Sequence, residues 1–283
     1  MRKWLALLIS LLGLAGGQNV FCADTTSKQV YIVPIRQEIN SSLVYVVRRG
    51  VKEAMAAKAD VLIIDMNTPG GSLGSMMEII DIINEFKGQT VTYVNTEAYS
   101  AGALISFATQ KIYMAPLSVI GAATPVQMAP GGQGIEALSD TVESKIASAI
   151  AAKIRANAKN NGHNVDLVDS MIFKDKPFKI GDKVLNEKGP LTLSCDEASE
   201  EYGKPPKPLL SSGTIASMDA LLEKLGYAGA ARTVITPTGA ETLGTWINAI
   251  SPILLIVGII GIYIELKTPG VILPGVIAVP EVN

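Results

Sequence analysis

Ser100, in the stretch Ala98-Tyr99-Ser100-Ala101-Gly102, follows Asn67-Thr68-Pro69-Gly70-Gly71, and the chain between the two reads as loop, helix and strand. A glycine pair closing a strand leaves backbone N–H groups open to a ligand, because no Cβ obstructs the approach. A serine among small residues at a strand-to-helix turn has the layout of an exposed nucleophile. Together they point to acyl transfer, in which a hydroxyl attacks a carbonyl and nearby N–H groups receive the oxyanion, one such donor being worth about 3 kcal/mol of barrier. Each signal alone is weak, since most Pro-Gly-Gly sequences are plain turns and a serine opening a helix is by base rate an N-cap.

A serine nucleophile needs a base, and the chain has a single histidine, His163. It follows Asn160-Asn161-Gly162 at the end of a helical stretch, the setting of an exposed loop histidine rather than a general base. A neutral lysine can substitute where burial lowers its pKa from about 10.4 toward working pH. Lys145 is the better candidate: its helical neighbours at three and four positions are Thr141, Val142, Ser148 and Ala149, none a carboxylate that would hold the ammonium charged. Lys153, Arg155 and Lys159 come later, toward a helix end where cations are favourable anyway. Spacing alone leaves open that Lys145 is an ordinary solvated helix lysine. Among other serines, Ser72 and Ser75 open a helix, Ser106 lies within one and Ser118 lies in a loop. No metal or cofactor motif is present, and none is expected.

The elements that must position these residues alternate in type. Strands are expected at Gln29–Ile35, Ala59–Met66, Thr90–Asn95 and Val184–Leu193. Helices are expected at Ser41–Lys58, Leu73–Phe86, Ala101–Ala108, Leu138–Ala158, Val165–Ile172 and Met218–Leu225, with Ser194-Cys195-Asp196-Glu197 as a capped helix start. Such repeated strand–helix units imply a largely parallel, layered α/β domain. Pro116 to Gly134 is rich in Gly, Pro, Ala and Gln without a clear period, and reads equally as a surface loop or as a flap beside a groove.

The two ends address the domain. Residues 1–23 carry Arg2 and Lys3, an apolar run and a small-residue boundary, the layout of a secretory signal peptide. Only Cys22 and Cys195 occur, so an internal disulfide in the exported domain is not expected. Residues 245–264 hold no charged side chain and are long enough to cross a bilayer core of about 30 Å, with Trp246 and Tyr263 near the ends. The domain is thus expected on the extracytoplasmic side of the cell membrane. Expected boundaries are 28–229 for the folded domain, 230–244 for a linker, and 265–283 for the start of a second membrane region that the chain does not complete. A net charge of -2, from 24 basic and 26 acidic residues spread along the chain, argues against nucleic acid as a partner.

The segments Ile64-Asp65-Met66-Asn67-Thr68-Pro69-Gly70-Gly71, Tyr99-Ser100-Ala101-Gly102, Ser118-Val119-Ile120-Gly121-Ala122 and Gly261-Ile262-Tyr263-Ile264-Glu265-Leu266-Lys267-Thr268-Pro269-Gly270 resemble the NfeD family of membrane-bound serine proteases of the ClpP class. The resemblance implies a ClpP/crotonase-like fold followed by a C-terminal transmembrane helix. It implies a Ser/Lys dyad of Ser100 and Lys145, the lysine standing ten residues before Arg155 and a Gly162-His163-Asn164 turn following. It places the oxyanion donors on the N–H groups of Gly70 or Gly71 and of Ala101. The implied activity is an endopeptidase cleaving apolar segments of membrane-associated, stomatin-like proteins, assembled at least as a dimer. The family usually has Asp where Asn67 stands, and long members add further membrane helices and an OB-type barrel. Other readings compatible with the residues are a signal-peptide peptidase A type protease, which usually has two tandem repeats of this fold, and a non-catalytic scaffold for a stomatin-like partner.

Overall fold

Short apolar runs become the strands, and segments with a three-to-four repeat become the helices covering them. In chain order these are β1 (Gln29–Ile35), α1 (Ser41–Ala56), β2 (Val61–Thr68), α2 (Leu73–Glu85), β3 (Gln89–Tyr99), α3 (Ala101–Ser106), β4 (Lys111–Met114), β5 (Val119–Gly121), α4 (Asp140–Asn160), α5 (Val165–Ile172), β6 (Thr192–Ser194), α6 (Cys195–Ser199), α7 (Met218–Lys224), β7 (Ala231–Val234) and α8 (Gly239–Lys267). The computed structural model describes residues 28–128, 135–136 and 140–267. The expected signal peptide lies outside these residues, as do positions 129–134 of the expected flap and everything after Lys267.

The main sheet runs β6-β5-β3-β2-β1-β7, with β4 also on β3. All its pairs are parallel except β5 with β6. β2 is the centre, and its Val-Leu-Ile-Ile run is buried on both faces, as a parallel strand between helical layers must be. Leu62, Ile64 and Met66 join the core shared with α1, α2, α3, α4 and α5. Val61 and Ile63 pack on the other face with Leu221 and Leu222 of α7. Asp65 also lies on that second face, 2% exposed, and Arg36 Nε, just past the end of β1, donates to its Oδ2 at 2.9 Å. This pair ties the ends of two adjacent strands where they enter the loops that form the site.

Several elements depart from what the sequence leads one to expect. β3 does not stop at Asn95; it continues to Tyr99 because its first half pairs with β4 and its last three residues pair with β5. The segment expected as an irregular loop or flap contains a sheet strand, β5, and Gln127–Met128, which pairs with Ile135–Glu136 just beyond its expected end. Val184–Leu193 is not one strand, because the Lys188-Gly189-Pro190 turn, with Gly189 at φ 85°, breaks it; only Thr192–Ser194 reaches the sheet. Residues 230–244, expected as a linker, hold β7 on the sheet edge and the first turns of α8.

α8 is thus continuous from the domain surface into the apolar segment Ala249–Lys267, which is long and apolar enough to cross a membrane and is hardly buried within the chain. Its first turn is clamped. Thr238 Oγ1 accepts the Glu241 N–H at 3.2 Å while Glu241 Oε2 accepts the Thr238 N–H at 2.6 Å, a reciprocal capping box. Arg49 of α1 grips the same carboxylate through Nε at 3.0 Å and Nη2 at 2.9 Å, and donates to the Thr236 carbonyl at 2.8 Å. The Arg49 hydrogen bond chiefly, against some desolvation, holds the Glu241 carboxyl down at about 2.

A carboxyl depressed in the folded state, from an ordinary value of 4.5, stabilises the fold above 4.5 and loses that contribution as pH falls toward about 2. Thermal unfolding in detergent micelles between these pH values should therefore show a steeper loss of stability for the unmodified chain than for Glu241→Gln; equal slopes would refute the clamp.

Candidate active site

Three backbone segments converge at the carboxyl ends of β1, β2 and β3. The first is Gln37-Glu38-Ile39, which follows β1. Ile39 N–H donates to the Gly70 carbonyl at 2.8 Å and the Ile39 carbonyl accepts the Ser72 N–H at 2.7 Å, a one-residue parallel bridge to Gly71. In such a bridge the central residue of the partner strand turns its own N–H and C=O to the opposite side. The Gly71 N–H accordingly faces away from Ile39 and forms no backbone hydrogen bond among the described residues.

Both glycines are required by this arrangement. Gly71 sits at φ 148°, and a Cβ there would lie 2.2 Å from the Ile39 oxygen. Gly70 sits at φ 110°, and a Cβ there would lie 2.6 Å from Ser100 Cβ. Thr68, fully buried at the end of β2, fixes the loop from beneath: its hydroxyl donates to the Gln37 carbonyl at 2.6 Å and accepts the Gly70 N–H at 3.2 Å. The Gly70 N–H is therefore occupied, whereas that of Gly71 is free to point at a ligand.

Ser100 ends β3 and precedes α3. Its backbone, at φ 52° and ψ -119°, lies in a region that L-residues rarely adopt, and its hydroxyl makes no capping hydrogen bond. The plain reading of Ser100 as an N-cap is thereby set aside. The strained turn is held by the Ser100 N–H, which donates to the Gly121 carbonyl of β5 at 2.9 Å. It presents the side chain at a strand-to-helix elbow, beside the first N–H groups of α3, among them that of Ala101, which have no partner within a helix.

Ser100, Gly70, Gly71 and Ala101 line one groove of about 790 Å³. Its walls are largely apolar: Leu73 and Met76 come from α2, Leu104 from α3, and Ile146 and Ile150 from α4. Lys145 is not among the lining residues. It stands exposed on α4, one position before Ile146, and has no ion pair or hydrogen bond with a described side chain. The structure thus gathers four of the five expected site residues at one place and leaves Lys145 at its margin.

His163 corrects the sequence reading in a different way. It is half-buried rather than exposed, with its ring edge-on to Phe107 at 5.7 Å between centroids. Its Nε2–H donates to the Thr109 carbonyl at 2.6 Å, since a carbonyl only accepts. Burial lowers its pKa, and the Thr109 bond opposes that shift in part. It lines a separate cavity of about 460 Å³ with Gln110, Lys204 and Lys207, away from Ser100. Its role is to pin the loop after α4 to the end of α3.

Sequence reasoning missed Ile39 as the anchor of the glycine loop and Thr68 as its support. It also missed Glu38, which lines the groove. The buried polar Thr68 next to Pro69-Gly70-Gly71 was the one local signal available. No group of His, Cys, Asp or Glu among the described residues could hold a metal ion.

Comparison with known proteins agrees with this architecture. The NfeD1b N-terminal domain family matches residues 29–235, and the NfeD integral membrane domain family matches residues 249–280. The membrane protein NfeD1b of Bacillus subtilis is 33% identical over 270 residues, covering 94% of this chain and 57% of that protein. The membrane-bound protease PH1510 of Pyrococcus horikoshii is 31% identical over 182 residues, covering 62% of this chain and 38% of that protein. The chain thus spans about half the length, or less, of these relatives. Among solved structures, a 1510-N membrane-bound stomatin-specific protease, as a lysine-to-alanine mutant in complex with a substrate peptide, aligns with a TM-score of 0.62 at 23% identity, over 78% of this chain and 98% of that one. A serine-to-alanine mutant of the same protease aligns with a TM-score of 0.60 over 75% and 99% of the two chains. At this identity the likeness establishes the fold.

The steric argument at the glycine loop makes two substitutions in the same stretch opposite in sign. Gly71→Ala is expected to destabilise the chain by about 2 kcal/mol or more, from left-handed backbone and contact with Ile39. Gly74→Ala, exposed in the first turn of α2 with only Ser72 Oγ at 3.8 Å from the added Cβ, is expected to stabilise by roughly 0.5 kcal/mol. Chemical denaturation of the two variants decides it, and similar effects would refute the loop geometry.

Proposed function

Because the chain belongs to the NfeD family, as the match over residues 29–235 establishes, we propose that it is a membrane-anchored serine endopeptidase with a Ser100–Lys145 dyad. The observation that carries this reading is the strained, uncapped Ser100 lining the same groove as Gly71, whose N–H has no backbone partner among the described residues. A serine that served only to cap α3 would need neither the φ of 52° nor a glycine, Gly70, packed against it.

In the proposed reaction the Ser100 hydroxyl gives its proton to neutral Lys145 as its oxygen attacks the peptide carbonyl carbon. The N–H groups of Gly71 and Ala101 receive the oxyanion. Collapse breaks the C–N bond, and Lys145 returns the proton to the departing amine. Water then attacks the acyl ester, its proton passing to Lys145, and Ser100 is regenerated. For this Lys145 must swing from the face of α4 that it occupies toward the groove lined by its neighbour Ile146. Entry among Leu104, Met76 and Ile150 would desolvate the ammonium and favour its neutral form, the form a base requires. Filling of the groove by substrate, or assembly with a second copy, supplies the occasion for that movement.

The apolar walls favour extended apolar segments as substrates, and the continuous α8 keeps the groove near a membrane, where such segments occur. A stomatin-like membrane protein is the partner proposed, by similarity to a relative described as a stomatin-specific protease. The exposed position of Lys145 also favours one other reading, a non-catalytic scaffold for such a partner.

A fluorophosphonate probe separates the two. The full chain in detergent micelles should be labelled at Ser100, with labelling absent in Ser100→Ala, and both Ser100→Ala and Lys145→Ala should lose peptide cleavage by at least about a thousandfold while keeping their thermal unfolding midpoints. Undiminished cleavage by either variant would sink the dyad mechanism.

A further inference from the structure

The groove beside Ser100 is lined mostly by apolar and small residues. Glu38 is the sole ionisable side chain among the described residues lining it. The carboxylate is exposed and has no hydrogen bond or ion pair with any described residue. Arg36, the nearest cation along the chain, does not neutralise it, because its guanidinium is engaged by the buried Asp65.

The position of Glu38 is fixed on both sides. The Gln37 carbonyl before it accepts from Thr68, and the Ile39 N–H after it donates to the Gly70 carbonyl. Glu38 is therefore carried on the same short backbone segment that holds the glycine loop, which keeps its carboxylate within reach of the groove. A peptide lying in the groove would cover part of its solvation while offering nothing apolar that compensates a negative charge. A cationic side chain on the peptide would compensate it, and an acidic one would meet repulsion.

We propose that Glu38 is a specificity-determining residue that selects substrates placing a lysine or arginine next to the apolar stretch occupying the groove. This rests on the protease reading of the site, which the test below keeps separate. An apolar peptide scaffold is prepared with Lys, Gln or Glu at each of four positions on either side of the cleaved bond. Cleavage by the full chain in nonionic detergent gives kcat/KM, and anisotropy with the Ser100→Ala chain gives Kd without turnover. At one position Lys should be favoured over Gln by about three- to tenfold in both measures, with Glu disfavoured. The preference should vanish in Glu38→Gln, invert in Glu38→Lys and shrink as salt rises from 0.05 to about 0.5 M. An unchanged Lys preference in Glu38→Gln, or cleavage with no charge preference at any position, overturns the proposal while leaving the protease reading intact. Glu38-dependent binding of Lys peptides to a chain that cleaves none of them supports the charge recognition and defeats the protease reading instead.

Discussion

Two backbone hydrogen bonds from Ile39, one to the Gly70 carbonyl and one from the Ser72 N–H, are the constraint on which the site depends. They extend the parallel sheet by a single residue beyond the ends of β1 and β2, and in doing so decide which way the intervening peptide faces. Because a parallel bridge turns the middle residue outward, the Gly71 N–H is left for a ligand rather than for the sheet. The close approach needed for that bridge leaves no room for a side chain at Gly71. Gly70 is required for a separate reason, the contact with Ser100, so the two glycines serve different neighbours.

Ser100 is held by an equivalent device on the other side. Its N–H is drawn to the Gly121 carbonyl of β5, which lets β3 end abruptly and α3 begin with an unusual backbone at the junction. The energetic cost of that backbone, of order 1–3 kcal/mol, is offset by the buried α3, whose Ala101, Ala103, Leu104 and Ile105 pack into the main core. The elbow is thus a strained feature borne by well-packed elements next to it, while the glycine loop reaches its positive φ values because it carries no Cβ, and the two frame one groove.

Much of this was legible from residue order. The run Val61-Leu62-Ile63-Ile64 and the alternation of strands and helices indicate a parallel layered sheet, and the order of the glycine pair and the serine places both at strand ends. What was not legible depends on contacts between distant segments. Ile39 and Gly71 are far apart in sequence, and nothing local marks Ile39 as their meeting point. His163 reads as a loop residue until Phe107 and Thr109 are seen to enclose it. Lys145 is the instructive case: helical spacing says which residues share a face with it, but not which face turns inward, and here Ile146 takes the groove. The strand expected at Val184–Leu193 fails for a local reason, the Lys-Gly-Pro turn, that outweighs its apolar content.

The clamp between Arg49, Glu241 and the Thr238 cap gives α8 a further property. From Gly239 to the start of the apolar span at Ala249 the helix rises roughly 15 Å without a break. The helix is anchored to α1, whose own first turn follows directly from Ile39. The apolar segment and the glycine loop are therefore joined through the Arg49 clamp by two helices, α8 and α1, and one short peptide, not by a flexible leash. The glycine loop is thus held at a set offset from the first residue of the apolar span, a fixed geometry rather than a tethered one.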